Sequence, residues 1–89
     1  MEVKGRAMEK FEIGMLAKSK AGHDRNHIYV IINTDETYVY LVDGILKTID
    51  KPKRKKWKHI QLIKRKYDVS AADDVAIKRI LTIYNEEEA

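Results

Sequence analysis

Short apolar runs in the first two thirds of the chain predict β-strands. Residues 27–32 and 38–42 are rich in β-branched and aromatic side chains, and each run is about as long as one strand. The polar residues 33–36 between them are typical of a turn. Residues 15–19 before this pair and residues 60–63 after it predict two further short strands.

A fifth strand is predicted at residues 45–49. Asp43-Gly44 separates this apolar run from the one before it, and Asp-Gly between two apolar runs is typical of a tight hairpin, because both central residues of that turn need positive φ. Three strands joined by short turns form an antiparallel meander. Five short strands are too few for an immunoglobulin-type sandwich, so we expect a mainly β protein with a small five-stranded barrel over residues 14–66.

The period of the apolar pattern changes in residues 67–89. Four apolar residues share one helix face at the i, i+3, i+4, i+7 spacing: Ile77, Ile80, Leu81 and Tyr84. This spacing predicts a C-terminal α-helix over about residues 70–84, followed by an acidic tail. Ser70 and Asp73 resemble a capping box at its start. An isolated helix of about 15 residues is marginal in water, so we expect its apolar face to pack on the barrel.

The composition fits one small domain. With 89 residues the chain has no room for a catalytic domain beside a substrate domain. The absence of cysteine excludes disulfides and thiol chemistry and fits a reducing cytoplasm. No apolar run approaches the roughly 20 residues that span a bilayer, and the start of the chain lacks the apolar stretch of a signal peptide. We expect a cytoplasmic protein with no membrane contact, in which residues 1–13 are a partly ordered lead-in.

The charges are unevenly distributed along the chain. Residues 1–67 hold 16 basic and 8 acidic side chains, whereas residues 68–89 hold 2 basic and 6 acidic ones. Ten of the 18 basic residues lie between Lys47 and Lys66, with Asp50 as the only acid among them. This asymmetry predicts a body that binds a polyanion and carries an acidic appendage.

The densest part of the basic region is residues 51–59. Pro52 argues against a regular strand there, so we expect the run to begin as a loop. A rigid body that presents Lys and Arg is suited to the phosphate backbone of a nucleic acid, although a solvated loop is the simpler alternative. The candidate RNA-binding residues of this run are Lys51, Lys53, Arg54, Lys55, Lys56, Lys58 and His59. Trp57 could stack on a base or occupy the core beside His59, and we favour the core.

A second basic segment joins the first predicted strand to the next. Gly22 and Asn26 both tolerate positive φ, so the segment predicts a sharp turn with two such points. Its candidate RNA-binding residues are Lys18, Lys20, Gly22, His23 and Arg25. Taken alone, the segment could equally be a tight connection between strands. The hypothesis of a binding site therefore requires that the two basic segments converge on one side of the barrel.

Other chemistry has little support in the sequence. His23, His27 and His59 lack the carboxylates that would complete a metal site. Ser19, His23 and Asp24 do not form a catalytic triad, because nothing marks a nucleophile elbow or an oxyanion hole. No Gly-rich phosphate loop is present. We expect no enzymatic activity, no cofactor, no metal and no small-molecule substrate.

Two parts of the sequence resemble a known family. Residues 14–24, followed by residues 28–31, resemble a KOW motif, in which a strand, a basic loop around a key glycine and a second strand form part of an SH3-like barrel. Residues 38–44, 52–56 and 59–60 resemble the small KOW-domain RNA-binding proteins of Firmicutes-type bacteria, which are similar to the archaeal and eukaryotic large-subunit ribosomal protein L14e. The resemblance covers roughly residues 13–64.

The resemblance implies an SH3-like barrel that binds RNA, most of all ribosomal or other translation-related RNA. Gly22 matches the key glycine of the motif, and Asp24 matches its loop. Two positions depart from the pattern: His23 stands where arginine is usual, and Asn26 where glycine is common. A neutral imidazole is a weaker phosphate ligand than arginine at pH 7.

A protein-interaction module is the alternative, since SH3-like barrels also bind peptides. In that case the basic run would meet an acidic protein segment. The aromatic side chains expected to be exposed for this purpose are Tyr29, Tyr38, Tyr40 and Trp57. A third possibility is that the same charges bind DNA. The sequence leaves open the bound RNA, the oligomeric state, and whether the protein is a permanent ribosomal component or a transient factor.

Overall fold

Within residues 11–88, five antiparallel strands form one sheet, and a single α-helix follows them. The computed structural model describes residues 11–88, so most of the predicted lead-in, residues 1–10, lies outside the described part. The elements are β1 (Met15–Ser19), β2 (Ile28–Thr34), β3 (Tyr38–Val42), β4 (Lys53–Lys56), a 3₁₀ turn (Trp57–His59), β5 (Ile60–Lys66) and α1 (Asp74–Glu88). The strand order is β4-β3-β2-β1-β5, so β1 pairs with both β2 and β5, and β4 and β5 are the two edges.

Both faces of the sheet are covered, which explains why its strands read as continuous apolar runs. One face carries a first core cluster that includes Ala17, Tyr29 and Leu41. The opposite face carries a second cluster in which Leu16 and Val30 of the sheet meet the helix. Successive residues of a strand point to opposite faces, so a strand that is buried on both sides has no polar alternation to display.

The prediction of strands was correct at four positions and wrong at one. β1 and β3 have the predicted bounds, β5 includes the predicted run, and β2 begins one residue after the predicted run and extends two residues beyond it. Residues 45–49 are not a strand, and Asp43-Gly44 does not form a hairpin turn. Instead, the buried Asp43 carboxylate accepts hydrogen bonds from the backbone N–H groups of Ile45 and Lys47, both at 2.9 Å, and folds the segment into a closed loop. Ile45 and Leu46 are left 62% and 78% exposed, whereas Ile49 at the end of the run packs against the second core cluster.

The fifth strand of the sheet is β4, which lies in the basic run, and the sequence predicted a loop at the start of that run. β4 pairs antiparallel with β3, with Tyr38 opposite Lys56 and Leu41 opposite Lys53. The expected loop is correct as far as Pro52, which directly precedes the strand. An edge strand has a neighbour on one side only and can be polar on both faces. The sequence of β4 therefore contains no apolar run from which a strand could be predicted.

The C-terminal helix packs as predicted but begins later. Ile77 and Leu81 are buried in the second cluster, and Ile80 and Tyr84 pack against it, as their spacing predicted. The capping box at Ser70 is wrong, because Asp73 caps the helix by accepting a hydrogen bond from the backbone N–H of Ala76 at 2.9 Å.

The acidic end of the chain belongs to this helix. Residues 86–88 lie in its last turn, and Glu87 and Glu88 form ion pairs with Arg65 of β5. The predicted acidic tail is therefore helical and directed at the sheet over the part that the structure describes. No helix within residues 11–88 is long and apolar enough to cross a membrane.

Candidate nucleic-acid interface

The loop between β1 and β2 has the two positive φ angles that its residue types predicted. Gly22 has φ of 85° and Asn26 has φ of 73°. The turn is closed by backbone hydrogen bonds from His27 N–H to the Asp24 carbonyl at 2.8 Å and from Asn26 N–H to the Ser19 carbonyl at 2.8 Å. The loop therefore has a defined shape of its own.

Asp24 is the centre of a polar network between this loop and β4. Its Oδ1 atom accepts hydrogen bonds from Ser19 Oγ at 2.9 Å and from Lys55 Nζ at 3.0 Å. Its Oδ2 atom accepts one from the Tyr29 hydroxyl at 2.8 Å and lies 3.7 Å from Lys53 Nζ. Ser19 and Tyr29 are buried, and the Asp24 side chain is only 15% exposed. One carboxylate thus links two strands, the loop and the edge strand.

The environment of Asp24 keeps it ionised at neutral pH. Burial disfavours its charge, but the hydrogen bonds from Lys55, Tyr29 and Ser19 and the charge of Lys53 outweigh burial and hold the pKa of Asp24 well below its usual range. The pKa of Tyr29 is raised, first by burial and then by its hydrogen bond to Asp24. At neutral pH the Asp24 carboxyl is therefore ionised and the Tyr29 hydroxyl keeps its proton.

The two basic segments lie side by side, as the hypothesis of a binding site required. Lys55 Nζ also donates to the Ala21 carbonyl at 3.1 Å, at the tip of the loop. At the start of the loop, Lys20 N–H donates to the His59 carbonyl at 2.9 Å, beside the 3₁₀ turn. Each contact joins residues that are far apart in sequence, so the loop is fixed against the basic run at two points.

The basic side chains of this region divide into two groups. Lys53 and Lys55 point to the face of the first core cluster, are 31% and 13% exposed, and pair with Asp24. The other cations are exposed and form no ion pair with any residue in the range 11–88. They are Lys20, Arg25, Lys51, Arg54, Lys56 and Lys58. His23 and His59 are exposed beside them. The exposed group, which we call the cation cluster, is free to meet an anion. It extends around the edge of the sheet, because Arg54 and Lys56 of β4 point to the face opposite Lys53 and Lys55.

Lys18 does not join the cation cluster, although the sequence placed it there. It follows Ala17 in β1 and therefore points to the opposite face, where it lines a surface groove with Tyr84 and Glu88 of the helix. Side chains alternate between the two faces of the sheet along a strand. The sequence-based prediction grouped Lys18 with Lys20 because both adjoin the same loop, and it did not take this alternation into account.

The aromatic residues differ in exposure from what was expected. Tyr29 is 3% exposed, so its expected role as an exposed peptide contact is wrong. Trp57 is half-buried against the first core cluster, its Nε1 donates to the Glu36 carbonyl at 3.2 Å, and its ring centroid lies 6.0 Å from that of Phe11. This geometry favours the core position for Trp57. His59 does not share that position, because it is exposed.

The central role of Asp24 was not predicted from the sequence. The available signal was its isolation: residues 18–27 and 51–59 together hold nine Lys and Arg residues and one acid, which is Asp24. A single carboxylate among many cations is a natural partner for several of them.

Comparison of the chain with models of known protein families and with curated proteins finds no match. The function of the cation cluster therefore has to be inferred from its geometry and charge.

Proposed function

We propose that this protein binds RNA through the sugar-phosphate backbone, at the cation cluster formed by the β1–β2 loop and the basic segment. The observation that carries the proposal is that one ionised Asp24 holds the two segments together while six other cations of these segments are exposed and form no ion pair within the described residues. Like charges on adjacent segments repel unless an anion meets them, so this arrangement suits a polyanionic partner. No catalytic role is proposed.

We further propose that the sheet belongs to the SH3-like barrel class of the KOW type, as the sequence resemblance implies. The supporting features are five short antiparallel strands and a β1 that pairs on both sides. The Asp24–Lys55 link adds a contact between the edge strand and the β1–β2 loop. In this interpretation the protein acts in or around the ribosome, in the cytoplasm.

The proposed mechanism is electrostatic docking. The base edges of double-stranded RNA lie in a groove that side chains do not reach, so recognition depends mostly on shape and on backbone contacts. If the cluster engages about six phosphates on a duplex, the logarithm of the binding constant falls against the logarithm of salt concentration with a slope of about −5. A flat salt response would contradict the mechanism.

A matched pair of substitutions separates binding from folding. Lys56→Gln removes an exposed, unpaired cation, so we expect weaker binding to a short RNA hairpin, a salt slope that is smaller by about 1, and an unchanged melting temperature. Lys55→Gln removes the same charge one residue away, but it breaks the contact with Asp24, and we expect a loss of about 1.5–3 kcal/mol in the free energy of unfolding.

The nature of the partner is tested separately in cell lysate. Capture of the tagged protein before and after ribonuclease treatment shows whether its partners depend on RNA, and a sucrose gradient shows whether it sediments with ribosomes. We expect RNA-dependent capture. A protein partner that persists after complete digestion, together with no affinity for the hairpin, would favour a protein-interaction module instead.

A further inference from the structure

The outer face of β3 and β4 carries two tyrosines, which the phosphate-docking mechanism does not use, beside two members of the cation cluster. Tyr38 and Tyr40 of β3 lie opposite Lys56 and Arg54 of β4, respectively, and all four point away from the first core cluster. The second cluster, which the helix covers, includes Val42 of β3 but neither tyrosine. We call this group of two tyrosines and two cations the aromatic face.

The aromatic face is held in place by short contacts. The guanidinium carbon of Arg54 lies 4.3 Å from the centroid of the Tyr38 ring, so the cation stacks on the ring. The Tyr40 hydroxyl donates to Asp35 Oδ2 at 2.8 Å. Asp35 is itself fixed, because its Oδ1 accepts hydrogen bonds from the backbone N–H groups of Thr37 and Tyr38. The β2–β3 turn therefore orients one ring, and Arg54 covers the other.

A planar cation supported by an aromatic ring is a suitable surface for a nucleobase. Unpaired bases stack on aromatic rings and on guanidinium planes, and an exposed cation beside them meets the adjoining phosphate. Arg54 and Lys56 are both exposed, and the rings behind them are half-buried. A base within a continuous duplex offers no free face to such a surface.

We propose that the aromatic face binds one unpaired nucleotide, whose base stacks on Arg54 over Tyr38 and whose phosphate lies near Lys56. The inference rests on the proposed RNA binding and adds its substrate class: RNA in which an unpaired base adjoins a helix. The preference for an unpaired base then comes from this face, while the cation cluster supplies affinity that is independent of sequence.

Three RNA hairpins of equal length and charge test this proposal. One has a continuous stem, one carries a single unpaired uridine in the stem, and one carries an abasic nucleotide at the same place. We expect the wild-type protein to bind the unpaired uridine roughly 5- to 150-fold more tightly than the abasic hairpin, measured by fluorescence anisotropy at fixed salt. Equal affinities for these two hairpins would overturn the proposal.

Protein variants assign the preference to the aromatic face. Arg54→Lys keeps the charge but removes the planar guanidinium, so we expect the ratio of the two affinities to fall close to one, whatever the total affinity of the variant. Tyr38→Ile removes the supporting ring from a strand position that tolerates a β-branched residue, and it should lower the same ratio in protein that thermal melting shows to be folded. Lys64→Gln, an exposed charge on β5, is the matched control and should leave the ratio unchanged.

The outcomes distinguish this inference from the proposed function. If the protein binds none of the hairpins, RNA binding itself fails. If it binds all three equally and with a steep salt dependence, RNA binding stands and the unpaired-base preference fails. A wild-type preference that Arg54→Lys and Tyr38→Ile both retain would also overturn the assignment to this face.

Discussion

The substitution Asp24→Asn tests the network that holds the two basic segments together. The amide has the size of the carboxylate but no charge. Its oxygen can still accept from Ser19 and Lys55, whereas its NH₂ group would take the place of the oxygen that faces Tyr29 and Lys53. The change therefore preserves the volume of the side chain and removes the anion from among its donors.

The expected loss of stability follows from these contacts. Hydrogen bonds to charged groups contribute about 1.5–3 kcal/mol each, compared with about 1 kcal/mol for neutral ones, so each weakened contact costs roughly 1 kcal/mol. Three hydrogen bonds to a side chain that is 15% exposed give a total of about 2–4 kcal/mol in the free energy of unfolding. For a domain of this size the melting temperature should fall by about 10–25 °C.

The pH dependence gives the prediction a second readout. The folded-state pKa of Asp24 is lowered, so its contribution is complete above the ordinary carboxyl pKa of about 3.9 and is lost as the pH falls through the folded value. The stability difference between wild type and Asp24→Asn should therefore be constant above about pH 5 and shrink below about pH 4. Backbone N–H groups also lower the pKa values of Asp35 and Asp68, but these residues are present in both proteins and cancel in the difference.

Urea denaturation followed by circular dichroism, at pH values from 3 to 7, measures both effects. Asp50→Asn removes the same charge from an exposed carboxylate in the β3–β4 connection and is the control, with an expected change within about 0.5 kcal/mol. If Asp24→Asn were as stable as this control, or if its deficit stayed constant into acid, the network would not hold the segments together.

Two further pairs of substitutions test the local geometry by urea denaturation. Gly44→Ala should cost about 2–4 kcal/mol, because a Cβ at φ of 79° would collide with the Asp74 carbonyl. Gly22→Ala should cost only about 1–2 kcal/mol, because its φ is also positive but a Cβ there would make only ordinary van der Waals contacts with the side chains of Asp24 and Lys55. Equal losses would contradict the close approach of Gly44 to the helix. Asp73→Ala should cost about 1 kcal/mol as the helix cap and Ser70→Ala less than about 0.5 kcal/mol, and the reverse order would place the cap at Ser70.

The sequence predicted the elements that bury apolar side chains. The runs at β1, β2, β3 and β5 are recognisable from their apolar and β-branched residues, and the stripe of Ile77 and Leu81 from its helical period. Each has a core to enter. The closed form of the barrel and the RNA partner are sequence-based expectations that stay proposals.

The errors lie where polar contacts decide the structure. Asp43 folds residues 45–49 into a loop by accepting two backbone hydrogen bonds, and Gly44 is needed for close packing against the helix. Lys53 and Lys55 lie in a strand that hydrophobicity does not reveal, and their partner Asp24 lies about thirty residues earlier. The donors that each of these carboxylates accepts from are brought to it by the tertiary structure, so the local composition does not identify them.

The double pairing of β1 has a consequence for the synthesis of this protein. β1 is among the first strands to be translated, yet its partner β5 is the last, with Leu16 opposite Ile63. Until residues 60–66 have been made, the growing chain carries β1 as an open edge, and the helix that shields Leu16 and Val30 follows later still. A polypeptide released before this point would expose an unpaired apolar strand, which promotes self-association. Synthesis of residues 60–88 is thus the step that pairs the open edge of β1 and covers Leu16 and Val30.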